Sequence, residues 1–566
     1  MADDSADVSY PSIDPSTFDL IVVGTGLPES VIASAASGAG KSVLHLDPNS
    51  FYGSHFCSLT LDDFTSFLHS HLNNPSSSSM EDSTVNDGGD YVIAKLKPRR
   101  LYSDIEISSH VSPESLGPSR KFNLDLAGPR VLLCADSAID LILKSGASHC
   151  LEFKSIDATF IYGLDGDGKF LTVPDSRAAI FKDRSLGLTE KNQLMRFFKL
   201  VQEHFGSVSA DGDRKEERGR ISEEDLESPF VVFLKKQRLP PKIKSIILYA
   251  IAMADYDQDG PDVSKNLLKT KDVVQSLALY HSSVGRFQNA MGAMIYPIYG
   301  QGELPQAFCR RAAVKGALYV MRMPVTSVLL DKENKHYKGV RLASGQDLFS
   351  HELVMDPSFT VRLPALLSPS SNLQHEYALV SSLKGIDGKV ARGVCIIRGS
   401  IKPDLSNLLV VFPPRSLFPE QVTSVRALQL GSNMAVCPSG LSVLYLSSLC
   451  DAAAQGKELL EAAMNVLFPR FLSKNCEGSA SVETEGTAGE TKPTLMWNAI
   501  YIQELETGSS EAINLCPMPD GKLDYSDLLE STVKLFEKIY PQQELFPHTV
   551  TETTEDDGDF PGDIPE

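Results

Sequence analysis

Gly24, Gly26 and Asp47 are spaced to hold a dinucleotide, and Glu29 stands where that site needs a third glycine. Residues 18–30 read FDLIVVGTGLPES. An apolar run, Leu20 to Val23, enters Gly24-x-Gly26, the tight turn that opens the first helix of a Rossmann unit. A second apolar run, 42–46, ends on Asp47 about 20 residues further on, where an acidic side chain binds a ribose hydroxyl. The pyrophosphate sits on the helix N-terminus, held by free N–H groups and the positive end of the helix dipole. A carboxylate at position 29 competes for that end. At about 5 Å and an effective dielectric of about 20 it repels each phosphate charge by roughly 3 kcal/mol. Pro28 suits an early helical position, where its missing N–H costs little. Two readings stand: a helix that supplies its own anion, with the scaffold kept and the cofactor lost, or a flavin or nicotinamide site that tolerates Glu29.

Other chemical motifs are incomplete. Asp255-x-Asp257-x-Asp259-Gly260 opens like a calcium loop, but the position for a bidentate Glu is Asn266, and Pro261 and Asp262 sit badly in such a loop. His69-x-His71 has no third ligand nearby, so no metal is expected. The chain lacks G-x-S-x-G, G-x-x-x-x-G-K-[ST] and H-E-x-x-H, and nothing pairs a nucleophile with its base. Its 9 cysteines are scattered without a C-x-x-C pair, which suits a reducing cytosol. A net charge of −20 argues against nucleic acid and fits a partner with basic segments. No run of 18 apolar residues suggests a membrane span, and the polar start MADDSADVSYPSIDP does not read as a signal peptide. Cytosolic residence is the expectation.

The elements that must position the fingerprint form an α/β pattern with a helical interruption. Residues 1–17 read as an acidic N-terminal tail and 18–175 as the first part of an α/β domain, with a polar insertion at 72–90. Residues 176–285 read as an all-α domain with an insertion at 206–228. The α/β domain resumes over 286–545, with an insertion at 473–492, and 546–566 form an acidic tail. Within the helical part, Thr189 is a candidate N-cap, and Leu194, Phe197, Phe198, Val201 and Phe205 share one helical face. Ile243, Ile246, Ile247, Ala250 and Ile251 form a similar stripe. Such stripes are ordinary core, or the lining of an apolar ligand groove. The flanking segments 158–174 and 325–345 read as hairpins.

The block YPIYGQGELPQAFCRR (296–311), with GTGLPES, VLHLD, Tyr52-Gly53 and the stretch 120–154, closely resembles the Rab escort protein and Rab GDP-dissociation inhibitor superfamily. The resemblance covers most of 18–545 outside the insertions. It implies a flavoprotein-like domain I with mixed sheets and no bound flavin, interrupted by a smaller all-α domain II. GTGLPES, YGQGELP, the chain length and the extended C-terminal part resemble the escort branch, whereas inhibitors tend to read GTGLTE and YGLGELP. The resemblance implies a non-catalytic adaptor that binds GDP-bound Rab GTPases, presents them to the Rab geranylgeranyltransferase heterodimer, and keeps the geranylgeranylated product soluble until a transient membrane contact. Carried over by position, the Rab-binding platform falls on Tyr52, Glu303, Gln306 and Arg310. Glu303 and Arg310 lie close to two turns apart, so a helix starting near Pro305 presents both on one face. Without the resemblance, Glu303 could cap the helix, Arg310 lie on the surface and Tyr52 in the core. Phe197, Phe198, Val201, Ile243 and Ile247 are the candidate isoprenoid-groove residues. A GDP-dissociation inhibitor and a flavin-dependent oxidoreductase of the amine-oxidase type are the alternatives.

Overall fold

A computed structural model describes residues 10–73, 91–99, 101–163, 168–174, 177–182, 184, 186–208, 220–260, 266–332, 336–361, 380–381, 388–468, 493–505, 509–510 and 513–547. The sequence expectations at 74–90, 209–219, 473–492 and 548–566 lie outside these residues.

The first sheet grows from the fingerprint. Leu20, Ile21 and Val22 are fully buried, as an apolar run flanked by parallel strands on both sides must be. This strand, β1 (Thr17–Val23), pairs in parallel with β2 (Val43–Asp47) on one side and with Asp347–Met355 on the other. Between β1 and β2 runs α1 (Leu27–Gly38), the crossover that a parallel pair requires. The order continues outward from β2 to Leu318–Met321 at the edge. Beyond Asp347–Met355 the sheet turns antiparallel, through the hairpin Val325–Asp331/Tyr337–Leu342 to Tyr91–Pro98 and Phe359–Val361. The stretch read as an N-terminal tail is partly structured. Ile13 is buried against this sheet, and its backbone N–H and C=O are both bonded by the Gln346 side chain, at 2.8 and 2.7 Å.

A second sheet of 8 strands carries the Ala158–Tyr162/Phe170–Thr172 hairpin at one edge. It is antiparallel except where Leu408–Phe412 runs alongside Ala158–Tyr162. Buried Arg392 ties it to neighbouring segments: its guanidinium donates to Gln503 Oε1 (2.6 Å) and to the carbonyls of Ala127 (3.0 Å), Gly128 (2.9 Å) and Asp520 (2.8 Å). Four acceptors around one guanidinium meet the demand a buried cation makes.

Among the described residues, 177–283 carry helices and no sheet strand. Leu194, Phe197, Val201, Ile243, Ile246 and Ile247 are buried in one core with Phe230 and Phe233, so both stripes serve as packing surface, while Phe198 is only partly buried. Thr189 is not the N-cap. The helix Leu188–Val208 already includes it, and Glu190 reaches back to accept the Gly187 N–H at 2.8 Å. Nor is 206–228 a single polar loop. Its first residues finish that helix, and Glu223–Glu227 form a short helix capped by Ser222, because Leu226 has a core site to fill. The carboxylates of the calcium-like segment hold this block to the second sheet: Asp255 pairs with Arg426 at 2.7 Å and Asp257 with Arg415, while Asp259 meets Lys235 at 3.3 Å.

Candidate functional site

The dinucleotide turn has the expected backbone and a different interior. Gly24 lies at φ +98°, where a Cβ would come 2.6 Å from Asp356 Cβ, and a Cβ at Gly26 would overlap the Glu29 carboxyl. Glu29 folds over the turn, 2 % exposed. Burial first, and then the charge of Asp356, push its carboxyl well above the ordinary range. Glu29 therefore fills the helix end in a form biased to neutral, which corrects the expectation of a fixed anion there: a buried carboxyl beside another acid keeps its proton more readily. Asp356 is itself pushed up by burial, but the adjacent His55 and the Ser358 donors outweigh that and hold it below its usual value.

Asp47 is occupied by protein donors. It accepts the Thr25 N–H at 2.8 Å, the Thr25 hydroxyl at 2.7 Å and the Asn49 N–H at 2.7 Å. Burial raises its carboxyl to about 6. What remains of the site is a cavity of about 170 Å³ bordered by Gly24, Asn49, His55, Arg99, Asp356 and Phe359. Pockets for drug-sized or cofactor ligands run from about 300 Å³ upward. Three buried carboxyls and this small volume fit a dinucleotide poorly.

The same hydrogen bonds reach the platform. The Thr25 hydroxyl that donates to Asp47 accepts the Gly53 N–H at 2.9 Å. Gly53 lies at φ +104°, with room for no Cβ beside Cys57, and it fixes the backbone next to Tyr52. Tyr52 is half-buried, with its ring 6.3 Å from that of Tyr319. Burial raises its hydroxyl, and Cys309 of the platform helix contributes a smaller push.

The platform helix spans Glu303–Val314, two residues earlier than a start at Pro305. It is launched by a turn that only glycine could make: Gly300 lies at φ +108°, and a Cβ there would come 2.8 Å from Asp125 Oδ1, while one on Gly302 would meet Ser58 N at 2.7 Å. Asp125 is fully buried and organises this approach. It accepts the Ser58 hydroxyl at 2.7 Å, the Gln301 N–H at 3.1 Å and the Tyr296 hydroxyl, and burial raises it to about 6. On the helix's inner face Leu304, Ala307, Phe308 and Ala312 share a core with Val31 and Ala35 of α1, and Ser30 meets Cys309 at 3.2 Å. Glu303, Gln306 and Arg310 are left on the outer face, the last two exposed. Glu303 does not act as the cap, since Gly302 holds that position. Burial raises the Glu303 carboxyl, and Arg310 offsets this in part. Glu303, Gln306 and Arg310 therefore share the face turned away from α1, offering a carboxylate, an amide and a guanidinium, and the Tyr52 phenol lies near Cys309 of the same helix.

Sequence patterning missed the apolar neighbours of this face. Tyr299, Val314 and Leu318 are 54 %, 70 % and 40 % exposed. Leu318 is exposed because Leu318–Met321 is the edge strand of the first sheet. On the helical block, Phe181 and Leu188 are also exposed. Beside that block, a cavity of about 440 Å³ opens between the second sheet and the helix Thr270–Ser283, bordered by Thr159, Val173, Lys182, Arg184, Tyr280 and Met294. Among the described residues, no group of His, Cys, Asp or Glu could hold a metal.

The fold and this arrangement meet their counterparts in known proteins. The family model "GDI: GDP dissociation inhibitor" matches residues 14–95 and 86–368. Rab escort protein 1 of Arabidopsis thaliana is 56 % identical over 557 residues, covering 97 % of this chain and 98 % of that one. The chain belongs to the Rab escort proteins of the GDP dissociation inhibitor family. The Drosophila melanogaster Rab proteins geranylgeranyltransferase component A is 27 % identical over 94 % of this chain and 90 % of its own. In fold, the chain is similar to a Rab GDI from Plasmodium falciparum, with TM-score 0.64 at 18 % identity over 94 % of this chain and 99 % of that one. It is also similar to an oxidoreductase from Methanosarcina mazei, with TM-score 0.51 at 10 % identity over 92 % of this chain and 100 % of that one. The flavoprotein-like architecture expected from the sequence is thereby shown.

Two substitutions test the glycine turn and its buried acids. Glu29→Gly leaves Asp47 and Asp356 in place, so the purified variant incubated with FAD should show no bound-flavin absorbance after desalting. Asp47→Asn probes the buried carboxyl through pH. The native state holds this proton to about 6, against 3.8 in the ordinary carboxyl. Its stabilising contribution is complete below 3.8 and is lost as pH rises through about 6. Unfolding free energies from denaturant titrations between pH 4.5 and 7.5 should therefore fall less in Asp47→Asn than in the parent, by about 2 kcal/mol.

Proposed function

We propose that this chain binds newly made, GDP-bound Rab GTPases and presents them to Rab geranylgeranyltransferase, then carries the prenylated product to membranes. The observation that carries this reading is the outer face of the helix Glu303–Val314. Glu303, Gln306 and Arg310 project there while its inner face packs on α1, and Tyr52, next to the Gly53 that is bonded to the Thr25 hydroxyl of the glycine turn, lies near Cys309 of the same helix. Arg and Tyr are the side chains that dominate protein interfaces, and a carboxylate–guanidinium pair gives such a face directionality. Preference for the GDP state would come from the switch segments of the GTPase, which rearrange with nucleotide.

The chain acts as an adaptor: it positions a partner and makes or breaks no bond. Neither flavin nor metal takes part, a reading supported by the three buried carboxyls around the turn. We place transferase docking on the helical block, where Phe181 and Leu188 are 59 % and 74 % exposed on a surface that also carries Lys182 and Arg184. The lipid is assigned to the same block. Removing a geranylgeranyl chain from water is worth about 0.8 kcal/mol per methylene-sized group. Phe197, Val201, Ile243 and Ile247 supply a closed apolar core, Phe198 its partly open margin, and the neighbouring cavity an entrance. No helix of the described residues is long and apolar enough to cross a membrane, consistent with transient contact and cytosolic residence.

Arg310→Ala or Glu303→Ala should weaken binding of a GDP-loaded Rab by about 2 kcal/mol or more in a calorimetric titration. Unchanged affinity in both would remove them from the interface. In a transfer assay with purified transferase and GDP-loaded Rab, prenylation should depend on this chain and fall with Phe181→Ala. Binding without stimulated transfer would mark an inhibitor-like role instead.

A further inference from the structure

Tyr299 is held in a backbone conformation that its side chain does not favour. Its φ is +76°, in the left-handed region where a Cβ crowds the following carbonyl. The neighbouring backbone enforces this: the Ile298 N–H donates to Glu152 O at 2.9 Å, the Tyr299 N–H to Met434 O at 2.9 Å, and Gly300 is wedged against Asp125 and Ser58. Glycine or asparagine would occupy such a position with less strain. The fold covers the ring only in part. It is 54 % exposed, and among the described residues its hydroxyl and ring have no hydrogen-bond or ring partner. Tyr296, three residues earlier, is fully buried and bonded to Asp125, so the same segment shows what a structural tyrosine looks like.

Strain of this kind concentrates at binding sites, where it presents a side chain that folding alone would not retain. Tyr299 stands at such a place. The Gly300 carbonyl accepts the Glu303 N–H at 3.2 Å, so the ring's backbone is rigidly related to the first residue of the platform helix. A tyrosine also offers a large amphipathic contact with only two side-chain torsions to fix.

We propose that Tyr299 is an interface anchor of the platform, its ring covering an apolar side chain of the GDP-bound GTPase. This rests on the proposed Rab-binding role of Glu303 and Arg310.

The test compares Tyr299→Asn, Tyr299→Phe and Arg310→Ala by calorimetric titration with one GDP-loaded Rab and by thermal melting of the full chain. Tyr299→Asn should melt at or above the parent temperature, since asparagine accepts the left-handed backbone, and should bind about 10-fold more weakly or worse. Tyr299→Phe should bind within about 3-fold of the parent, because the ring makes the contact. If Arg310→Ala weakens binding and Tyr299→Asn does not, the Tyr299 assignment fails alone. If neither weakens binding, the platform reading fails and takes this one with it. Lost affinity together with a lowered melting temperature in Tyr299→Asn would assign the residue a structural role and overturn the proposal, as would a Tyr299→Phe variant as weak as Tyr299→Asn.

Discussion

The hydrogen bonds between Thr25 and Asp47 are the constraint on which the rest of the site depends. In a dinucleotide fold the acid that ends the second strand is kept free for a ribose. Here it accepts both the backbone and the hydroxyl of Thr25, inside the glycine turn itself, and the Thr25 hydroxyl then accepts the Gly53 N–H beside Tyr52. The turn is thereby closed from within by the protein's own groups. A surface tyrosine acquires a position fixed by the strand–helix–strand unit, where a flexible loop would have left it mobile. Glu29 completes the closure from the helix side, its bias to the neutral form meaning that acids and a helix end can share a buried site.

Asp125 plays the corresponding part under the platform helix. A fully buried carboxyl is costly unless donors surround it, and the hydroxyls of Ser58 and Tyr296 with the Gln301 N–H meet that need. Those donors bring together segments far apart in sequence and draw the Gly300–Gly302 turn close. The helix direction follows, and with it the separation of an apolar face against α1 from a polar face toward solvent. Both networks put ionisable groups where they are hardest to ionise, with Asp47 and Asp125 each raised to about 6. The rigidity of the platform is tied to hydrogen bonds formed by buried acids.

The helical block is attached by two kinds of force. Its aliphatic and aromatic residues, Phe197 and Ile247 among them, share one core with Ile161, Val411 and Tyr445 of the second sheet, and at the junction Asp255 pairs with Arg426 and Asp257 with Arg415, together with short backbone bonds. Acids that look like part of an ion-binding loop in the sequence are consumed in holding two layers together. Exposed Phe181 and Leu188 are left over on the same block, far more solvent-accessible than its core requires.

The sequence alone determined the β1–α1–β2 unit, the two hairpins and the helical interruption, because each is written in local periodicity and glycine turns. It also singled out Glu29 as the residue that departs from the dinucleotide fingerprint, and an Arg310–Glu303 spacing that shares one helical face. What it could not determine is what depends on partners distant in the chain. The charge bias of Glu29 is set by its burial and then by Asp356, more than 300 residues away. Phe197 and Ile243 become core because Phe230 and Phe233 pack on them. Leu318 is exposed because its strand ends a sheet, and Tyr299 is strained because Met434 and Asp125 hold its turn. Periodicity records which face of an element is apolar; burial, ionisation and strain depend on what the fold brings against that face, and that only the tertiary structure decided.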